Sequence, residues 1–382
     1  MHYRQLGKTK LQVSEIGLGC EGFVDHECSY TKALIDLAEK NGINYLDLYS
    51  SDPHARQSLG EALQGRREKF YLQAHLCTIW NKGQYERSRD LAKVQLSFED
   101  LLKRLHTDYI DVGMIHYVDA VKDWQEIEQG PLLPYVLKLK QEGRIKYLGL
   151  SSHNPEASLA AIKSGHIDVL MFSINPCYDL QPGTENCEDL WADESYARQL
   201  TNMDAKREEL YNLCQSQGIG ISVMKAYGGG DLLDAALSPA GRALTPVQCL
   251  HYALTRPAVA TVMTGAHTPQ ELEAALAYET ASDAEKDYAA VLASFPKISW
   301  EGRCMYCGHC APCPKGIDVA MVTKFLNLCK AQKTVPETVR EHYDILAHHA
   351  GECIGCQACE KRCPFGVKVT ANMAEAQDIF GK

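Results

Sequence analysis

The sequence has no run of roughly 18 or more apolar residues, the length a helix needs to cross a bilayer, so no membrane partner is expected. Its opening, MHYRQLGKTKLQVSEIGLGC, has no apolar stretch ahead of a small-residue cleavage site, which argues against a secretory signal and for a cytoplasmic location. Basic excess is also missing. Lys and Arg number 39 against 49 Asp and Glu, a net charge of −10, and this argues against a nucleic-acid partner. A small anionic substrate stays open, since one local basic pocket suffices for it. Without a secretory signal, the 16 cysteines do not read as a disulfide framework.

What is present is ordinary in bulk and unusual in distribution. Of 382 residues, 45% are hydrophobic and 23% charged, enough for a large globular domain plus a small one. Cys20, Cys28, Cys77, Cys177, Cys187, Cys214, Cys249 and Cys329 are scattered and read as small buried hydrophobes. The other eight form two tight runs beyond residue 300.

Up to about Phe295, short apolar runs alternate with longer amphipathic ones. SEIGLG, INYLDLY, KFYLQAH, DYIDVGMIH, IKYLGLS, HIDVLMFSI, GIGISVM and AVATVMTG read as eight buried strands. YTKALIDLAEKNG, YERSRDLAKVQLSFEDLLKRLHT and DAKREELYNLCQSQG read as helices between them. Strand followed by helix eight times predicts an α/β fold, a (β/α)8 TIM barrel, with chemistry at the C-terminal strand ends. The long polar segment 177–202 is either a lid or substrate wall, or a surface insertion. Residues 1–297 are therefore assigned to the barrel. Residues 298–382, rich in cysteine, proline and glycine and with two helical stretches, form a small, mostly α-helical domain.

The first cysteine run is CMYCGHCAPCP (Cys304, Cys307, Cys310, Cys313) and the second is CIGCQACEKRCP (Cys353, Cys356, Cys359, Cys363). The second matches the bacterial 4Fe–4S run letter for letter, and the first is one residue shorter before its last cysteine. In two-cluster proteins the fourth cysteine of each run serves the other run's cluster. That rule groups Cys304, Cys307 and Cys310 with Cys363, and Cys353, Cys356 and Cys359 with Cys313. Two tetrahedral zinc sites are the rival, but zinc knuckles usually show two CxxC pairs separated by a longer span. With 39 residues between Cys313 and Cys353, the tail resembles helical dicluster ferredoxin domains. A pair of clusters suggests an electron relay, with a ferredoxin or similar protein as partner.

In the barrel, NYLDLYSSD places Asp47 and Tyr49 at the end of the second strand, and MIHYVD places His116 at the end of the fourth. Alone, each has a bland reading, a helix cap or a core histidine. Together with the opening YRQLGKTKLQVSEIGLG and the segment IKYLGLSSHNPEASL, they make residues 1 to about 290 resemble the aldo-keto reductases. With the tail, the whole chain resembles members fused to a C-terminal ferredoxin domain. The resemblance implies hydride transfer between a nicotinamide cofactor, NAD(P)H, and the carbonyl or hydroxyl of a small-molecule substrate. In that family a tyrosine donates the proton, a lysine held by an aspartate tunes it, and a histidine orients the carbonyl oxygen. Tyr49 then matches the acid, Asp47 the aspartate and His116 the orienting histidine.

Where the lysine should stand, at the end of the third strand, this sequence has His75. Lysine is reliably cationic and lowers a phenol's pKa from about 10; histidine, near 6.5, stays mostly neutral unless Asp47 keeps it protonated. A neutral imidazole can instead accept the tyrosine's proton. The pocket implied for nicotinamide departs too. The family's Ser-Asn pair is Ser151-Ser152 here, and its sixth-strand glutamine is Met171. Gly265, Ala266 and Glu271 stand where NADP-specific members often present basic or hydroxyl groups, and Glu271 would repel a 2′-phosphate. Lys225, Gly228 and Gly229 keep a glycine-rich turn that a pyrophosphate can approach. These departures give weight to a nicotinamide-independent version with a flavin or a ferredoxin partner. Two other classes remain: an Asp47, His75, His116 metal site running non-redox chemistry, and a barrel that only docks partners.

Overall fold

Strands buried on both faces should be continuous apolar runs, and the eight runs do form one closed parallel barrel. The computed structural model describes residues 1–24, 26–196, 200–294, 298–332 and 334–382. In chain order the barrel strands are β1 (Ile16–Gly19), β2 (Tyr45–Leu48), β3 (Tyr71–Leu76) and β4 (Ile110–Ile115). They continue as β5 (Ile145–Ser152), β6 (Val169–Ser173), β7 (Gly220–Met224) and β8 (Val259–Thr264). Each pairs with its sequence neighbours, and β8 closes on β1 through Val262 and Ile16. The register sets Asp47 beside Gln73 and His75 beside Met114.

The barrel interior is filled from below. An N-terminal hairpin, Tyr3–Gln5 with Gln12–Ser14, brings Leu6, Leu11 and Val13 into one apolar cluster with the interior side chains Val112, Met114, Val169, Met171 and Met263. Met114 fits because Gly149 on β5 has no side chain; a Cβ there would lie 2.2 Å from the methionine sulfur. With the N-terminal end plugged, the C-terminal ends of the strands face the accessible mouth.

Helix boundaries follow local chemistry. Asp52-Pro53, Asn154-Pro155, Thr245-Pro246 and Thr268-Pro269 each put a capping side chain on the N-cap and proline at the first helical position. The helix Ala205–Gln217 ends on Gly218 in the left-handed region, φ 65°. One expectation is corrected. The stretch from Tyr85 to Thr107 is not helical throughout: Gln84–Arg87 pairs antiparallel with Thr78–Asn81, and the helix, Leu91–Arg104, begins only after the Asp90 cap.

The expected boundary at 297/298 falls where residues 295–297 lie outside the described residues. Beyond it, Ile298–Ser299 pairs with Leu200–Thr201. The tail's helices Val319–Gln332 and Val369–Phe380 share one hydrophobic core with the barrel's outer layer. Arg256, fully buried, donates to the carbonyl of Met305 at 2.5 Å, as Tyr288 does at 2.6 Å. Among the described residues, no helix is long and apolar enough to cross a membrane.

Candidate active site

Period-two alternation on β3 aims Gln73 and His75 at the same face, into the barrel. His75 lies under the mouth, and its Nε2 is 3.0 Å from Asp47 Oδ1 on β2. Its Nδ1 is 2.7 Å from Nδ1 of His116, the first residue past β4. The other nitrogen of His116, Nε2, is 2.7 Å from the hydroxyl of Tyr85. Asp47, His75, His116 and Tyr85 therefore form one unbroken hydrogen-bonded chain from the barrel interior to its rim.

Proton positions in this chain follow from chemistry. Asp47 as a carboxylate only accepts, so His75 donates from Nε2, and in its neutral form it accepts at Nδ1. His116 must then donate from Nδ1 and accept at Nε2, which leaves the Tyr85 hydroxyl as donor. His116 is held well below the ordinary histidine range by burial, with the Arg87 charge adding to it, so its ring is neutral as this arrangement requires. Gln73 anchors the inner end. Its amide nitrogen donates to Asp47 Oδ1 at 2.6 Å, while its carbonyl accepts from Tyr45 and Ser222.

Tyr49 packs its ring against His75, Tyr85 and His116, 6.2 to 6.5 Å between centroids, but is not hydrogen-bonded into the chain. Among the described residues no hydrogen bond joins it to His75 or His116; its hydroxyl lies 3.5 Å from Glu21 Oε1. Burial, then the Glu21 charge, pushes its pKa up, the reverse of what a neighbouring lysine would do. Asp47, His75 and His116 also make a line rather than a triangle, with all four ring nitrogens engaged. That disfavours them as joint ligands of one metal.

Neither Gln73 nor Tyr85 was anticipated from sequence. Gln73 had a signal, lying two residues before His75 on the same strand. Tyr85 had a weaker one, the NKG turn between TIW and QYER.

The residues matched to nicotinamide contacts are mostly occupied. Ser152 Oγ donates to Asp119 at 3.1 Å, and the Ser151 carbonyl accepts from Val118. Met171 sulfur accepts from Gln73. Lys225 stacks its ammonium 5.7 Å from the Trp191 ring. Glu271 accepts from the backbone of His267 beyond Gly265 and the buried Ala266. The Gly228–Gly230 turn differs: all three residues have left-handed φ, and a Cβ at Gly229 or Gly230 would meet open space. The backbone is therefore accessible there, as a pyrophosphate would require.

In the tail, Cys313, Cys353, Cys356 and Cys359 line one cavity with Ile317 and Met373. The Cys304 thiol is pushed up to about 12, first by burial and then by Cys307, Cys310 and Cys363 beside it. Cysteines of the two runs therefore lie near one another. Arg362 ties the runs together through the carbonyls of Cys310 and Pro312.

The comparisons agree with this architecture. The family model described as Aldo/keto reductase family matches residues 15–243. The uncharacterized oxidoreductase YqkF of Bacillus subtilis (strain 168) is 28% identical over 289 residues, covering 71% of this chain and 89% of its own. The solved holo form of the aldo-keto reductase AKR11C1 from Bacillus halodurans is 26% identical with a TM-score of 0.58, covering 75% of this chain and 94% of its own. With a matching closed (β/α)8 barrel and more than half its length under that family model, the chain belongs to the aldo/keto reductase family.

Proposed function

We propose that this protein is an iron–sulfur oxidoreductase that interconverts a hydroxyl and a carbonyl group on a small molecule at the barrel mouth. The observation that carries this reading is the chain Asp47–His75–His116–Tyr85, which can take up or deliver one proton at the rim. In oxidation, the substrate hydroxyl gives its proton to the Tyr85 oxygen as Tyr85 passes its own to His116 Nε2. His116 passes a proton to His75, and His75 passes one to Asp47. In reduction the same shifts run outward, and Tyr85 protonates the forming alkoxide. The proton leaves the substrate separately from its two electrons.

Cys304, Cys307, Cys310 and Cys363 would hold one 4Fe–4S cluster, and Cys353, Cys356, Cys359 and Cys313 the other. Four adjacent thiols can ionise together only around a cation, which supports this assignment. When bound, the clusters supply one-electron transfer to a partner such as a ferredoxin, and a nicotinamide supplies or accepts hydride. The engagement of Ser152 and Met171 favours a second version, in which a flavin takes the place of nicotinamide.

The test is anaerobic. NADH and then NADPH are added to iron-reconstituted protein while the visible iron–sulfur absorbance is followed. Prompt bleaching supports the nicotinamide version. Bleaching with dithionite alone points to the flavin or ferredoxin version. Failure to develop that absorbance on reconstitution would sink the iron–sulfur reading.

A further inference from the structure

A second cluster of donor atoms sits beside the proposed site and takes no part in it. Asp119 follows β4, His153 follows β5, and Cys187 lies in the long segment 177–202. Three separate stretches of chain thus bring a carboxylate, an imidazole and a thiol within 4.8 Å of one another. All three are buried, Asp119 at 1% exposure and the other two at 9%. The carboxylate is held in a fixed orientation: Oδ1 accepts from Ser152 Oγ at 3.1 Å and the His153 backbone at 2.6 Å, while Oδ2 faces His153 Nδ1 at 2.9 Å. Cys187 accepts a long contact, 3.6 Å, from the Tyr117 hydroxyl. The other such grouping, His2 with Glu15 and Glu279, is different. Its carboxylates pair with cations outside the group, Arg4 and the Met1 amino group, and His2 is exposed.

We infer that Asp119, His153 and Cys187 bind one divalent cation of the zinc class at the barrel rim. Mixed sulfur, nitrogen and oxygen donors suit Zn2+ better than Mg2+ or Ca2+, and three protein ligands leave a fourth position for water or a substrate oxygen. A carboxylate pinned by outer hydrogen bonds is what an oriented metal ligand requires. On binding, the Cys187 thiol loses its proton to solvent as the thiolate coordinates; no electron moves. The ion ties the stretch around Cys187 to the ends of β4 and β5. This site does not depend on the proposed reaction.

The test uses full-length protein with its tail iron in place, treated with a mild chelator and titrated anaerobically with Zn2+, with zinc and iron counted together. One zinc per chain is expected, without loss of iron, and Zn2+ should slow alkylation of Cys187 in the unaltered protein. Cys187→Ala and His153→Gln should each bind at least 100-fold more weakly, and Ser152→Ala about tenfold more weakly. No zinc uptake by the unaltered protein, or no change in Cys187 alkylation, overturns the inference. So does uptake that persists unchanged in Cys187→Ala, which assigns the zinc to other cysteines.

Discussion

At Tyr85 a half-buried phenol reaches a carboxylate deep in the barrel through two imidazoles. Replacing its hydroxyl therefore removes the outer end of the proton path and little packing. Tyr85→Phe should lower kcat about 100-fold or more, within the range for general acid–base groups. Tyr49→Phe should lower it less than about tenfold, because the Tyr49 hydroxyl lies by Glu21 and outside the hydrogen-bonded chain. Anaerobic turnover of a panel of aldehydes and alcohols by both variants checks the pair; equal losses would return the role to Tyr49. A structural residue shows the same logic of connection. Asp179 is fully buried, accepting from Tyr211 at 2.5 Å and Tyr252 at 2.7 Å, with Arg207 at 3.8 Å. Asp179→Ala strands a buried guanidinium and should cost about 3–5 kcal/mol, read from the urea midpoint.

The hairpin Thr78–Arg87 carries Tyr85, the outer end of this site. It is fastened from outside, with Ser51 donating to Ile79 and Ser97 to Thr78, each at 2.7 Å. Shortening its tip across residues 80–85 should lower turnover at least as much as Tyr85→Phe, while thermal unfolding shows an intact barrel. The eight barrel strands were legible in the sequence because strands buried on both faces leave no polar alternation to confuse the pattern. The hairpin was not, since its polar second strand runs directly into a strongly amphipathic helix and shares its composition. His75 was legible as a departure at a strand end. Its contact with His116 was not, because it depends on the register between β3 and β4, which no linear pattern carries. The two tail cysteine runs were legible from their spacing, whereas which cysteines face one another depends on how the tail folds, and Cys313 lines one cavity with Cys353, Cys356 and Cys359.

Over the whole molecule, buried histidines set the response to acid. Burial, with Lys286 and Arg256 nearby, lowers His251 to about 4, and His116 is lowered as well. The folded state then holds fewer protons than the unfolded chain, whose histidines titrate near 6.5. The contribution of these two histidines to stability is thus complete above about pH 6.5 and is lost as pH falls toward about 4. The thermal midpoint should drop across that window, and less steeply in His251→Phe. Chelator treatment tests the proposed clusters in the same way: removal of iron bound by the tail should lower the midpoint further and loosen the tail, while far-ultraviolet dichroism retains the barrel's signal. The grip on Met305 has a kinetic consequence as well. That residue lies between Cys304 and Cys307, and barrel side chains Arg256 and Tyr288 hold its carbonyl. A barrel and a cysteine-bearing protein on separate chains would meet by collision, at a rate set by their concentrations. Here the two are already in contact, so any exchange between them is first-order, and dilution does not slow it.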